Sequence, residues 1–163
     1  RIKIKHWEKQ EKRIVKELSK YGDATATIAS GRFWHSKSDA RLKGLFRVEA
    51  KTSGAVDANG KYIILKKSWL DKIENEAIKS NEMPALAISF DEDIDYYIVR
   101  LKDLETMIPV NCIEELKGNK SLKLRQNKLY KLHELVEEIP LIKLVMGGCD
   151  YVILSDWDFY SLI

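Results

Sequence analysis

The stretch from Lys61 to Leu104 returns, loosely, between Lys120 and Phe159, and this repetition limits how the chain can fold. Lys61-Tyr62-Ile63-Ile64-Leu65, Trp69-Leu70-Asp71-Lys72-Ile73, Pro84 and Tyr96-Tyr97-Ile98-Val99 are echoed by Lys120-Ser121-Leu122-Lys123-Leu124, Leu129-Tyr130-Lys131-Leu132, Pro140 and Asp150-Tyr151-Val152-Ile153. Each copy closes on an aspartate and an apolar residue, Asp103-Leu104 and Asp158-Phe159. The pattern reads as a degenerate strand–helix–strand–strand repeat. The second copy is expected to lack a Glu-x-Lys strand ahead of it, and so to carry structure or contacts rather than chemistry.

Ahead of the first copy, Leu45 to Thr52 reads as a strand. Side chains alternate across it, so Phe46, Val48 and Ala50 share one face while Arg47, Glu49 and Lys51 share the other. Glu49 and Lys51 then project side by side, roughly 7 Å apart at about 3.3 Å per residue.

Lys5 to Tyr21 reads as an amphipathic helix, with Trp7, Ile14 and Leu18 on one stripe, Val15 beside them, and Gly22 as its stop. Glu11 falls inside the stripe, where a carboxylate needs a cation or hydrogen bonds. A short strand Thr25 to Ala29 leads into the loop Ser30 to Ser38. Its small hydroxyls, glycine, cations and aromatics suit contact with phosphate. Asp39 follows. A three-residue loop Leu42-Lys43-Gly44 with Gly44 left-handed would set Asp39 opposite Arg47 and diagonal to Glu49, whereas a two-residue turn would move it to the far face.

Farther on, a strand Lys61 to Lys66 precedes a helix Trp69 to Lys79 capped by Ser68, with Trp69, Leu70, Ile73 and Ala77 turned inward. Pro84 is expected to break the chain before strands Ala85 to Phe90 and Tyr96 to Leu101. Asp91-Glu92-Asp93 between them lacks the further ligands of a calcium loop and reads as a solvated hairpin turn.

The 163 residues are 45% hydrophobic, enough for a substantial core, and the net charge of +3 is too small to establish a polyanion partner by itself. Cys112 and Cys149 have no metal or redox spacing and are expected to be reduced and at least half-buried. No run is apolar enough to span a membrane and no signal peptide is recognisable, which makes the cytoplasm the expected compartment.

Glu11, Asp39 and Glu49 converging on one point would repel one another without a cation between them. Hard oxygen ligands with positions left for water and phosphate describe magnesium or manganese. Such an ion polarises a phosphodiester and lowers the pKa of bound water, and Lys51 would hold or deprotonate that water or stabilise charge on the phosphate. The expected reaction is metal-dependent hydrolysis of nucleic-acid phosphodiesters.

A helix Glu, then Asp, then Glu-x-Lys resembles the motif order of the PD-(D/E)xK nuclease superfamily, and most closely the Holliday-junction resolvases of archaea and phages. Glu11 is followed by Ile14, Val15 and Leu18; Ser30-Gly31 precedes Asp39; Thr52 follows Glu49 and Lys51; and the Ser68 to Ile73 helix with Pro84-Ala85-Leu86 looks like the phage branch. Ser38 stands where the name-giving proline would be. The likeness covers about residues 11–104.

The resemblance implies an α/β fold with a central mixed sheet flanked by helices and a restriction-endonuclease-like core over 1–104; residues 105–163 have no counterpart in that core and are expected to form an α+β extension packed on it. It implies one or two magnesium or manganese ions per site, held by Asp39, Glu49 and the Ala50 carbonyl with Glu11 direct or through water, and Lys51 as the base. Ser30, Gly31, Arg32, Lys37 and Thr52, with Lys66 and Lys67 after them, are the expected DNA contacts. The expected partner is branched DNA such as a four-way junction, bound by a homodimer with no membrane or small-molecule cofactor. The rival expectations are a restriction- or repair-type endonuclease of the same superfamily, a non-catalytic DNA-binding module, and an unrelated α/β domain.

Overall fold

Strands buried on both faces need apolar side chains at odd and even positions alike, and the middle of this chain supplies them. The computed structural model describes residues 6–26, 40–134 and 137–163. In order the elements are α1 (His6–Leu18), β1 (Ala24–Ala26), β2 (Ala40–Leu42), β3 (Phe46–Thr52), β4 (Val56–Asp57), β5 (Gly60–Lys66), α2 (Lys67–Lys79), β6 (Met83–Ser89), β7 (Tyr96–Arg100) and α3 (Leu101–Leu104). Then come β8 (Cys112–Gly118), β9 (Ser121–Arg125), α4 (Gln126–Leu129) with a 3-10 turn Tyr130–His133, β10 (Leu141–Met146), β11 (Cys149–Ser155) and α5 (Asp156–Ser161). Among the described residues eight strands form one mixed sheet in the order β1-β2-β3-β6-β7-β11-β10-β8, and β4-β5-β9 form a second. The fold is α/β, a large mixed central sheet flanked by helices.

Alternate residues of the central strands feed two cores. Ala85, Ala87, Tyr97, Val99, Val152 and Leu154 face α1, α3 and α5, meeting Ile14, Leu18, Leu104 and Phe159. Leu86, Ile88, Tyr96, Ile98, Tyr151 and Ile153 face α2, α4 and the β5–β9 ribbon, meeting Leu70, Leu129, Ile63 and Leu124. Phe46, Val48 and Ala50 belong to the first core, so Glu49 and Lys51 project toward α2. No helix among the described residues is long and apolar enough to cross a membrane.

Several local expectations are corrected. The β2–β3 turn is Lys43-Gly44-Leu45, one residue later than Leu42-Lys43-Gly44, and Arg41 rather than Asp39 lies opposite Arg47. The choice follows burial: Leu42 sits in the core across from Phe46, while Leu45 stays 41% exposed in the turn. The turn keeps an odd number of residues and Gly44 is left-handed, with φ +83°. Gly22 is not a left-handed helix stop; a Cβ there would meet Leu42 Cδ1 at 3.1 Å, so close packing explains the glycine. Ser68 does not cap α2, which begins at Lys67 directly from β5, the Lys67 N–H bonding to the Lys120 carbonyl. Pro84 lies inside β6, opposite Arg47 in the parallel ladder, instead of before the strand. Cys149 is exposed rather than at least half-buried; Cys112 is half-buried and both are free thiols, as expected.

Gly118, at the end of β8, has no room for a side chain. An added Cβ would stand 2.7 Å from the Ser121 carbonyl oxygen and 2.9 Å from Met146 Sδ. Gly118→Ala is expected to cost about 1–3 kcal/mol through the backbone shift this forces. A thermal melt unchanged from the parent protein would contradict that.

Candidate functional site

The α2-facing side of β3 carries the site. Glu49 is in the strand interior, its side chain only 4% exposed, and Lys51 is two residues on and one-third exposed. Lys51 Nζ stands 3.5 Å from Glu49 Oε1, and Lys72 Nζ, from α2, stands 3.6 Å from the same oxygen. Removing a carboxylate from water is costly unless cations or hydrogen bonds compensate, and two ammoniums do so here. Lys51 also lies over the Trp69 ring at 5.0 Å, and Lys66 over that ring at 5.7 Å. A buried carboxylate therefore opens onto a partly wet rim of two ammoniums and an indole face.

The other side of β3 meets α1 through Gln10, which is 1% exposed. Its Nε2 lies 3.1 Å from the Lys51 carbonyl, 3.2 Å from the Ala87 carbonyl and 3.0 Å from Asp95 Oδ1, and its two N–H groups serve two of these at a time. Arg13 grips the same aspartate in a fork, Nε to Oδ2 at 2.8 Å and Nη2 to Oδ1 at 2.9 Å. Burial pushes the Asp95 carboxyl above its ordinary value, against the lowering influence of Arg13 and Gln10. The buried stripe of α1 is thus Gln10, Ile14 and Leu18, not one that contains Glu11. Glu11 is half-buried, on the layer across the sheet from the Glu49 side chain.

Of the expected site residues, Glu49 and Lys51 come together, with Ala50 between them on the opposite face. Thr52 ends β3, half-buried and paired with Ser89. Lys66 joins the Trp69 rim, whereas Lys67 is committed to Asp71 and the Tyr151 ring. Ser30, Gly31, Arg32, Lys37 and Asp39 lie outside the described residues, as does the Trp7 side chain. Among the described residues no three of His, Cys, Asp and Glu converge as metal ligands. Three contributors escaped notice in the sequence. Lys72 is three residues after Trp69 and so on its helix face, Gln10 is four before Ile14, and Asp95 directly precedes an apolar strand.

A second polar hub ties the β2–β3 turn to the α2–β6 turn. The Glu82 side chain, with no exposure, accepts from Arg41 Nε at 2.8 Å, Arg47 Nε at 3.1 Å, Ser80 Oγ at 2.7 Å and the Gly44 N–H at 2.6 Å. Burial pushes its carboxyl up, but the bonds from Ser80, Arg41 and Gly44 outweigh burial and hold it below the usual range. This hub holds Arg41 of β2 and Arg47 of β3, which pair across the ladder, on one carboxylate. No family model, curated protein or solved structure matches this chain.

Proposed function

We propose that the chain is a metal-dependent DNA endonuclease selective for branched DNA. The observation that carries this reading is the buried Glu49 carboxylate set 3.5 Å from the one-third-exposed Lys51 ammonium on one strand. The odd β2–β3 turn adds support, because it is the parity that a carboxylate at Asp39 requires. Glu49 fits a hard divalent ion in donor type, and such an ion would take over the charge balance that Lys51 and Lys72 now supply. Glu49, the Ala50 carbonyl and Asp39 would hold magnesium or manganese; Glu11, on the layer across the sheet, is left out of this set. When bound, the ion polarises the phosphodiester and makes hydroxide accessible near neutral pH. Lys51 holds the attacking water or neutralises charge on the phosphate, water adds at phosphorus, and one P–O ester bond breaks to leave a phosphate monoester and a hydroxyl. Lys66 and Trp69 border the path of the backbone.

The pair of ammoniums balancing Glu49 favours one other reading, a DNA-binding module whose carboxylate is purely structural. Incubation of a synthetic four-way junction and a matched linear duplex with magnesium separates them. Cleavage confined to the branch is expected; binding of the junction with no turnover in magnesium or manganese would leave only the module.

A further inference from the structure

The sheet is arranged symmetrically about the β7–β11 pair. From that centre outward the order is β7, β6, β3 on one side and β11, β10, β8 on the other. β6 is antiparallel to β7 and parallel to β3; β10 is antiparallel to β11 and parallel to β8. The registers are reciprocal as well. Arg100 and Ser155, the residues just before α3 and α5, pair with Tyr151 and Tyr96, and Ile98 faces Ile153 at the centre. In the second sheet Lys66 and Arg125, just before α2 and α4, pair with Ser121 and Tyr62. Reciprocal pairing of this kind is the property of a twofold interface, here made within one chain.

The same ladders identify the counterpart of the site. Ile98 pairs with Leu86, which pairs with Glu49; Ile153 pairs with Ile142, which pairs with Glu114. Tyr96 leads through Ile88 to Lys51; Tyr151 leads through Leu144 to Leu116. Glu114 keeps cations from the helical segment that follows, 2.7 Å from Lys128 Nζ and bonded to Lys131, as Glu49 keeps Lys72. The lysine is gone, replaced by half-buried Leu116. Contrary to expectation, β8 ahead of the second copy does contain a Glu-x-Lys run, Glu115-Leu116-Lys117, but that run does not restore the lysine. An irregularity between Leu141 and Ile142 puts Glu115 and Lys117 one residue out of step, on the opposite face, where Glu115 meets Lys143 at 3.4 Å. Among the described residues β8 is also an edge strand, with no hairpin beyond it to bring a second carboxylate as β2 flanks β3.

We infer that the second half of the chain is a built-in partner whose own site has lapsed, so that one chain carries one site and cuts one strand per encounter. The inference rests on the endonuclease reading, and it places within a single chain the twofold arrangement that the family resemblance ascribes to two. Each turnover adds one water across one P–O ester bond, and the second strand waits for a second event. The test is a supercoiled plasmid bearing an extruded four-way junction, incubated in magnesium with limiting protein, with sedimentation of the protein in the same buffer. Nicked circle should accumulate ahead of linear product, and the protein should sediment as a single chain. Glu49→Gln should lose about 100-fold or more of the rate, while Glu114→Gln stays within about threefold. Linear product from the earliest times without a nicked intermediate, a stable dimer of chains, or a Glu114→Gln loss equal to that of Glu49→Gln with the melt unchanged would each overturn the inference while leaving the endonuclease reading intact. Absence of any cut by the parent protein in magnesium or manganese would overturn both.

Discussion

Replacing Lys51 by alanine is expected to lower magnesium-dependent cleavage of a four-way junction by about 10²–10⁴-fold, the range for losing a positioned proton-transfer or charge-stabilising group. The side chain is one-third exposed and sits at the end of β3, so its truncation leaves both cores filled. The Gln10 bond is made to the Lys51 carbonyl and survives the change. Junction affinity measured in calcium should fall far less than the cleavage rate, because one ammonium among several contacts is lost. Lys51→Arg is the more searching variant. A guanidinium keeps the charge but cannot act as a base, so a water-activating role predicts that arginine does not rescue, whereas a purely electrostatic role predicts partial recovery. Unchanged cleavage by the alanine variant would remove Lys51 from the chemistry.

The largest stability effect is expected at Glu82. Glu82→Gln leaves Arg41 and Arg47 without the carboxylate that both engage, and the Gly44 N–H without a charged acceptor. Removing one partner of a buried ionic network costs about 3–5 kcal/mol, and the half-wet Arg41 argues for about 3. The acid dependence follows from the carboxyl being held below its usual 4.5 in the folded protein. Its stabilisation is fully present above that usual value and is lost as pH falls through the lower folded one. Urea unfolding should therefore show the full gap between parent and variant at neutral pH and a narrowing gap in acid. A gap that stays constant down to about pH 3 would contradict this assignment of the charge.

Strands with long apolar or alternating runs were legible in the sequence because one residue type after another points to the same state: Phe46 to Thr52, Tyr96 to Arg100 and the α2 stripe of Leu70, Ile73 and Ala77. Features settled by tertiary competition were not. The β2–β3 turn depended on whether Leu42 or Leu45 would be buried, which only the Phe46 pairing and the Glu82 hub decide. Ser68 has the chemistry of a cap, yet α2 starts earlier because the Lys67 N–H finds the Lys120 carbonyl on a distant strand. Nothing in the sequence marks Gln10 as buried; only the folded chain brings its amide to the Lys51 and Ala87 carbonyls near the ends of β3 and β6. The β8 strand was overlooked because Glu114, Glu115 and Lys117 give it a polar look suited to an edge, where charge protects against unwanted pairing.

The β5–β9 ribbon joins one strand from each half of the molecule, and β7 and β11 do the same in the main sheet. A stop codon after Leu104 would therefore strip two strands bare at once, leaving the apolar Tyr96 to Val99 segment without its neighbour and Ile63 and Leu65 without the Leu124 that packs beside them. Such a fragment should be recovered in inclusion bodies or as amyloid-like aggregates rather than as a working miniature, and co-expression of residues 105–163 in trans is the manipulation that should bring it back into solution.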